Sequence, residues 1–190
     1  VPADSKLDTI EKFIAEAKAN PGRVSVGNSG FGNIWHLSAS AFAKKAGLDL
    51  LQIPYTGAAP TMQAAMGGQI QAFVASPPEV AAQVQGGKLK IIAVMADKRN
   101  AAFPDVPTMV ESGYKTIVIT GWTGLLAPTG TAPDIIEKVQ KEIAARLLVP
   151  ETRESLASQG AEPVASTPSE FVAFIRAETA KWSAVIKQAG

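Results

Sequence analysis

The chain has 190 residues, 46% of them hydrophobic, with 18 basic and 17 acidic side chains and a formal net charge of +1. That balance leaves no electrostatic footprint for nucleic acid or an anionic membrane surface, and the longest apolar runs, such as Gly121 to Pro128, fall far short of the ~20 residues a membrane helix needs. With no cysteine, disulfides, thiol catalysis and cysteine-bound zinc are excluded. The length fits one large α/β domain, or one domain plus a segment that belongs elsewhere. The opening Val1-Pro2-Ala3 reads as a cut rather than as a start.

Helices and strands alternate along the first half. Asp8-Thr9-Ile10-Glu11 has the spacing of an Asp cap with a reciprocal acid; Ile10, Phe13, Ile14 and Ala17 share one face, and Asn20-Pro21-Gly22 ends the helix. Val24-Ser25-Val26 is a short strand. Ile34 to Ala46 is a helix stopped by Gly47, followed by a strand over Leu48 to Pro54. Gly57 to Met66 is helical, Ile70 to Ala75 a strand, Pro78 to Gln85 a helix and Leu89 to Met95 a buried strand. Such alternation predicts an α/β fold with a mainly parallel sheet flanked by helices on both faces, whose ligands sit outside the carboxyl ends of the strands.

Beyond Met95 the pattern changes. The polar Asp97-Lys98-Arg99-Asn100 and the proline-clamped Phe103-Pro104-Asp105-Val106-Pro107-Thr108 read as a connection between lobes. Thr116 to Thr120 and Trp122 to Ala127 read as strands. Thr131-Ala132-Pro133 opens a helix with Ile135, Ile136, Val139, Ile143 and Leu147 inward, and Pro150 to Gln159 is a short helix ended by Gly160. Thr167-Pro168-Ser169-Glu170 is a capping box with proline at the first helical position, and Phe171, Phe174, Ile175, Trp182 and Ile186 mark the buried stripe that follows.

Three strand-to-helix junctions carry the functional signal: Gly27 to Asn33, Pro54 to Pro60, and Ala75 to Glu79. Each exposes backbone N–H groups at a helix start, where the macrodipole adds about half a positive charge, so a carboxylate or phosphate can bind without a catalytic group. All three follow strands of a parallel sheet and should converge on one edge. In the first, Asn28, Ser29, Gly30, Gly32 and Asn33 either form a plain turn in which Asn33 caps the next helix, or add Ser29 and Asn33 as side-chain donors to a ligand. The single histidine, His36, faces the cleft or packs under the loop, while its neighbour Trp35 reads mainly as core. In the second, Gly57 and Ala58 offer N–H groups, with Tyr55 and Thr56 as hydroxyl or wall. Ser76 is the third donor, or merely a helix cap.

Several motifs together resemble one family. The Asn20-Pro21-Gly22 stop, the glycine loop running into His36-Leu37, Ile53-Pro54-Tyr55-Thr56-Gly57, Gly86-Gly87-Lys88-Leu89-Lys90, Asp97-Lys98-Arg99, Pro104 to Thr108, Gly121-Trp122-x-Gly124, Ala127-Pro128-x-Gly130-Thr131 and Gln159 to Pro163 resemble, in order, the substrate-binding proteins of tripartite tricarboxylate transporters, the Bug/TctC family. The resemblance covers essentially the whole chain. It implies a type II periplasmic binding protein-like fold and a non-enzymatic protein of the periplasm that captures a di- or tricarboxylate, or a related organic acid, and hands it to membrane permease subunits. It implies no cofactor, metal or nucleic acid.

Family members begin with a further stretch that supplies the other half of the carboxylate site. The resemblance therefore implies an N-terminally truncated molecule with part of the first lobe missing: residues 1–122 as the second ligand-binding lobe, and 123–190 as the segment that returns to the first. Many relatives carry an acid near the third turn to meet an amino group; here Ala75 and Ser76 occupy it and Glu79 lies beyond, which favours plain carboxylates over amino acids. Trp35 departs from the small or polar residue expected there.

Other classes fit less well. Gly27-Asn28-Ser29-Gly30-Phe31 lacks the last glycine of a nucleophile elbow, and the sole histidine lies only seven residues past Ser29, which argues against a serine hydrolase. Neither a dinucleotide fingerprint nor a phosphate loop is present, and a single histidine leaves no transition-metal pattern. The remaining alternative is an assembly module, a truncated chain that pairs with itself to cover the cleft side.

Overall fold

Parallel pairing of three short strands organises residues 25–73 of the computed structural model, which describes residues 1–189. The chain runs through α1 (Ile10–Ala19), β1 (Ser25–Asn28), α2 (Ile34–Ala46), β2 (Leu51–Pro54), α3 (Ala58–Met66), β3 (Ala72–Phe73) and α4 (Pro77–Gln85), then α5 (Pro133–Leu147), α6 (Pro150–Ser158) and α7 (Pro168–Ala189). The sheet order is β2-β1-β3, so β1 is central and buried along its length. Among the described residues no helix is long and apolar enough to cross a membrane. Two compact units are distinguished, Val1–Gly121 and Trp122–Gly190.

In the first unit helices cover the sheet from two sides. Ile10, Phe13, Ile14 and Ala17 of α1 pack with Val24, Val26, Ala39, Phe42, Ala46, Met109 and Ile117. A second cluster joins Ala64, Ala65, Ile70, Val80 and Leu89, with Ile53 and Tyr55 against it. Each fully buried large side chain contributes about 1.5–3 kcal/mol, so β1 is clamped by burial rather than by its few ladder hydrogen bonds. The helix ends follow local chemistry: Asn33 caps α2 and Gly47, at φ 65°, closes it.

Several expectations are corrected. Thr9, not Asp8, caps α1, accepting from the Lys12 N–H at 3.2 Å, because Asp8 is drawn instead to Lys12 Nζ at 2.7 Å. Leu89 to Met95 forms no strand: Leu89 makes one antiparallel bridge with Pro2, and Val94 one parallel bridge with Thr108. The segment meets two different partners in turn and never runs beside either long enough to ladder. The loop around Phe103 to Thr108 is no connection between units, since it lies wholly within the first and buries Phe103, Thr108 and Met109.

The second unit departs further from expectation. At the end of the first unit Thr116 to Thr120 forms no strand, although the Ile119 N–H donates to the Met95 carbonyl at 2.6 Å; in the second unit Trp122 to Ala127 forms none either and is exposed throughout. A strand needs a neighbour to pair with, and among the described residues of this unit there is none. The apolar stripe of α5 is likewise uncovered, with Ile135 53%, Val139 41% and Ile143 40% exposed, as are Phe174 and Ile186 on α7. Period 3.6 defines which face is apolar but not what covers it. Aromatic rings pack together at the start of this unit: Trp122 meets Phe171 and Phe174 edge-on at 5.5 and 5.3 Å. The α7 capping box forms as expected, Thr167 N–H and hydroxyl both donating to Glu170 Oε2 at 2.8 and 2.7 Å.

Candidate anion-binding site

Because β1 pairs in parallel with both neighbours, Asn28 opposite Pro54 and Gly27 opposite Phe73, all three strands end at one edge. The turns after residues 28, 54 and 73 therefore come together. Two hydrogen bonds fasten them: the Tyr55 N–H donates to the Asn28 carbonyl at 2.9 Å and the Val74 N–H to the Gly27 carbonyl at 3.1 Å.

The first turn uses much of its own donor capacity. Asn28 is fully buried, and its Oδ1 accepts from the Gly30 N–H at 3.1 Å. Gly30 and Gly32 hold φ of 132° and 78°, the left-handed region that glycine enters freely. The Gly32 N–H donates to His36 Nδ1 at 3.3 Å. Asn33 Oδ1 accepts from both Trp35 N and His36 N at 3.0 Å, which satisfies the start of α2. Two donors stay unmatched: Asn28 Nδ2 and Ser29 Oγ are covered from solvent yet have no hydrogen-bond partner. Leaving such a group unpaired costs about 1–3 kcal/mol.

The second turn is the open helix start. Gly57 supplies no side-chain cap to α3, so the Ala58 and Ala59 N–H groups face no capping acceptor, and Pro60 has none to offer. Thr61 Oγ1 donates to the Gly57 carbonyl at 2.7 Å and lies 3.4 Å from the Asn28 carbonyl, tying α3 to the end of β1. Tyr55 is half-buried against the second core cluster, and Thr56 is exposed.

At the third turn both Ser76 donors, N–H and hydroxyl, go to Glu79 Oε2 at 2.7 Å. Ser76 thus acts as a cap here, with its donors committed. This also removes one expectation, that no acid stands at this turn: Glu79 folds back one helical turn and brings its carboxylate there. Trp35 packs over Gly121, its ring 3.0 Å from where a Cβ on that glycine would lie. Phe31, which sequence reasoning passed over, is 84% exposed and rests on the His36 ring at 4.5 Å between centroids. Neither lysine nor arginine occurs in the three turns, and among the described residues no cluster of His, Cys, Asp or Glu could hold a metal. The edge can recognise an anion with neutral dipoles.

A parallel sheet packed with helices on both faces, its turns gathered beyond the strands' carboxyl ends, defines a periplasmic binding protein-like α/β fold. Residues 1–190 match the Tripartite tricarboxylate transporter family receptor, TctC, and the chain belongs to that family. It is 38% identical over 190 residues to the UPF0065 protein in the gbd 5′ region of Cupriavidus necator, covering 100% of this chain and 58% of that protein. With Protein BugT of Bordetella pertussis it shares 35% identity over 185 residues, 97% of this chain and 57% of the relative. Among solved structures, R. palustris Rpa4515 with adipate superimposes at a TM-score of 0.94 with 27% identity, covering 100% of this chain and 64% of that one. The chain spans somewhat more than half the length of the Cupriavidus necator and Bordetella pertussis relatives.

Proposed function

We propose that the chain forms a ligand-binding part of a periplasmic solute-binding protein that captures a small carboxylate for a tripartite tricarboxylate transporter, without catalysing a reaction on it. The observation that carries this reading is the pair of buried, unmatched donors, Asn28 Nδ2 and Ser29 Oγ, beside the uncapped start of α3. A carboxylate that enters by displacing the loop would bring acceptors for both. Hydrogen bonds to a charged group contribute about 1.5–3 kcal/mol each, so three or four of them account for micromolar binding. The adipate bound by the R. palustris relative supports a dicarboxylate as the first ligand to try. On this reading Asn28, Ser29, Gly30, Gly32, Asn33, His36, Tyr55, Thr56, Gly57 and Ala58 line the site, with Ser76 and Glu79 at its margin. The first unit is the binding lobe, and residues 123–190 return to the other lobe in the full-length architecture.

Calorimetry and thermal shift with succinate, adipate, citrate, tricarballylate, glutamate and an aromatic acid test the proposal. A ligand at a hundred times its Kd stabilises by about 2.7 kcal/mol, which for this length raises Tm by about 5–10 °C. Ser29→Ala should weaken the best ligand by about 10- to 150-fold. No stabilisation by any acid, or turnover of one, would overturn the reading. A second reading, self-association, rests on the exposed Ile135, Val139 and Ile143 of α5; light scattering that finds a dimer without acid binding would favour it.

A further inference from the structure

One acceptor in the first turn is a titratable base. The Gly32 N–H donates to His36 Nδ1 at 3.3 Å, which requires that nitrogen to carry no proton. The contact lies on the exposed side of the loop, and a Cβ built on Gly32 would meet nothing within 4 Å, so the space beside it is open to an incoming group. Among the described residues His36 bonds to no acid and no cation; its side chain meets the Gly32 N–H and the Phe31 ring. The titratable groups of the neighbouring turns are Tyr55 after β2 and Glu79 in α4, whose Oε2 is engaged by Ser76. On α2 itself the charged residues are Lys44 and Lys45 in the last turn, Lys45 being held by the Thr116 carbonyl.

We propose that Gly32 and His36 form a proton-linked anion latch, an inference that rests on the carboxylate reading of the same loop. When Nδ1 takes a proton from solvent it changes from acceptor to donor, and the Gly32 N–H loses its partner. The two N–H groups then oppose each other, the imidazole turns off the amide, and one carboxylate oxygen entering beside the pair accepts from both. One proton is taken up for each carboxylate bound, and no covalent bond changes. In the unprotonated state the imidazole occupies the donor that the ligand needs, so acid and ligand act in the same direction. The site thereby binds a carboxylate together with a proton taken from solvent, and affinity rises by up to about tenfold for each unit of falling pH across the range in which histidines change charge.

Because His36 is the only histidine, its imidazole nitrogens can be followed without ambiguity by long-range 1H–15N NMR on the 190-residue chain. The titration is recorded between about pH 5 and 8, in sodium chloride and in sodium formate at a matched ionic strength of about 0.1 M. The latch predicts that formate moves the His36 midpoint upward and that the Gly32 amide shifts with the same midpoint. An unchanged midpoint, or a Gly32 amide that ignores it, overturns the latch. Adipate binding is measured in parallel at the two ends of that range, in the parent and in His36→Gln, which should flatten the pH dependence. If adipate binds equally well at both ends and formate leaves His36 unmoved, the latch falls and the carboxylate reading stands. If formate moves His36 but no organic acid of the panel binds tightly, the latch stands as a weak anion site and the transport reading falls.

Discussion

Gly27→Ala tests whether the site edge is held by close packing beneath it. Gly27 sits in the central strand, one residue before Asn28, and a Cβ there would lie 2.5 Å from Ile70 Cδ1, 2.8 Å from Thr61 Cγ2 and 3.4 Å from Phe73 Cβ. None of these yields freely: Ile70 and Thr61 are 2% and 1% exposed, and Thr61 is fixed through its hydroxyl to the Gly57 carbonyl at 2.7 Å. Overpacking of this kind costs about 1–3 kcal/mol, and at about 2–4 °C per kcal/mol for a chain of this size it lowers Tm by about 2–12 °C. Differential scanning calorimetry reads the loss. The double variant Gly27→Ala/Ile70→Val, which deletes the clashing Cδ1, should recover part of it, whereas the remaining push on Thr61 persists and loosens the start of α3. If Gly27→Ala is as stable as the parent, β1 does not approach α3 as closely as described, and the tie between Asn28 and Gly57 loses its basis.

Two further outcomes concern ionisation. In a chain whose amine is free at Val1, burial lowers that group from 8.0 to about 6, while the amine donates to the Lys90 carbonyl at 3.0 Å. The folded state prefers the neutral amine, so stability is full above about pH 8 and falls by about 2–3 kcal/mol as pH drops through 6; an Nα-acetylated chain should lose this slope, and equal slopes would refute it. The backbone N–H of Thr167 first, and its hydroxyl second, hold the Glu170 carboxyl below its ordinary value; Thr167→Ala removes the hydroxyl and keeps the N–H. NMR titration should then find Glu170 nearer the usual glutamate range, with the stability that its low value confers above that range, and loses as pH falls, correspondingly reduced.

Helix limits were legible where one residue decides them. Asn33 and Gly47 bracket α2 in the structure as their chemistry predicts, because an Asn acceptor and a left-handed glycine act within one turn of chain. Convergence of the three turns was legible too, since it follows from parallel pairing alone. Strand identity at Leu89 to Met95 was not, because a strand exists only beside a partner, and that partner changes between Pro2 and Thr108. Donor supply was equally hidden. Composition places Gly30, Gly32 and Ser76 in the turns, yet Asn28 Oδ1, His36 Nδ1 and Glu79 Oε2 claim their N–H groups, a competition settled by side-chain direction rather than by sequence spacing.

That competition also divides the edge by charge. At the third turn a carboxylate already accepts the helix-start donors, so a second anion there would meet like charge as well as spent N–H groups. At the first and second turns the opposite holds: donors are buried and unmatched at Asn28 and Ser29, and the start of α3 is uncapped. On the carboxylate reading proposed above, an anionic head is favoured on the β1–β2 side of the edge and disfavoured on the β3 side. The β3 side, with Glu79 present, suits a neutral or cationic portion of a ligand instead. A molecule with one carboxylate lodged beside Asn28 and Ser29 must direct any further negative charge away from Glu79, and so out from the sheet edge rather than along it.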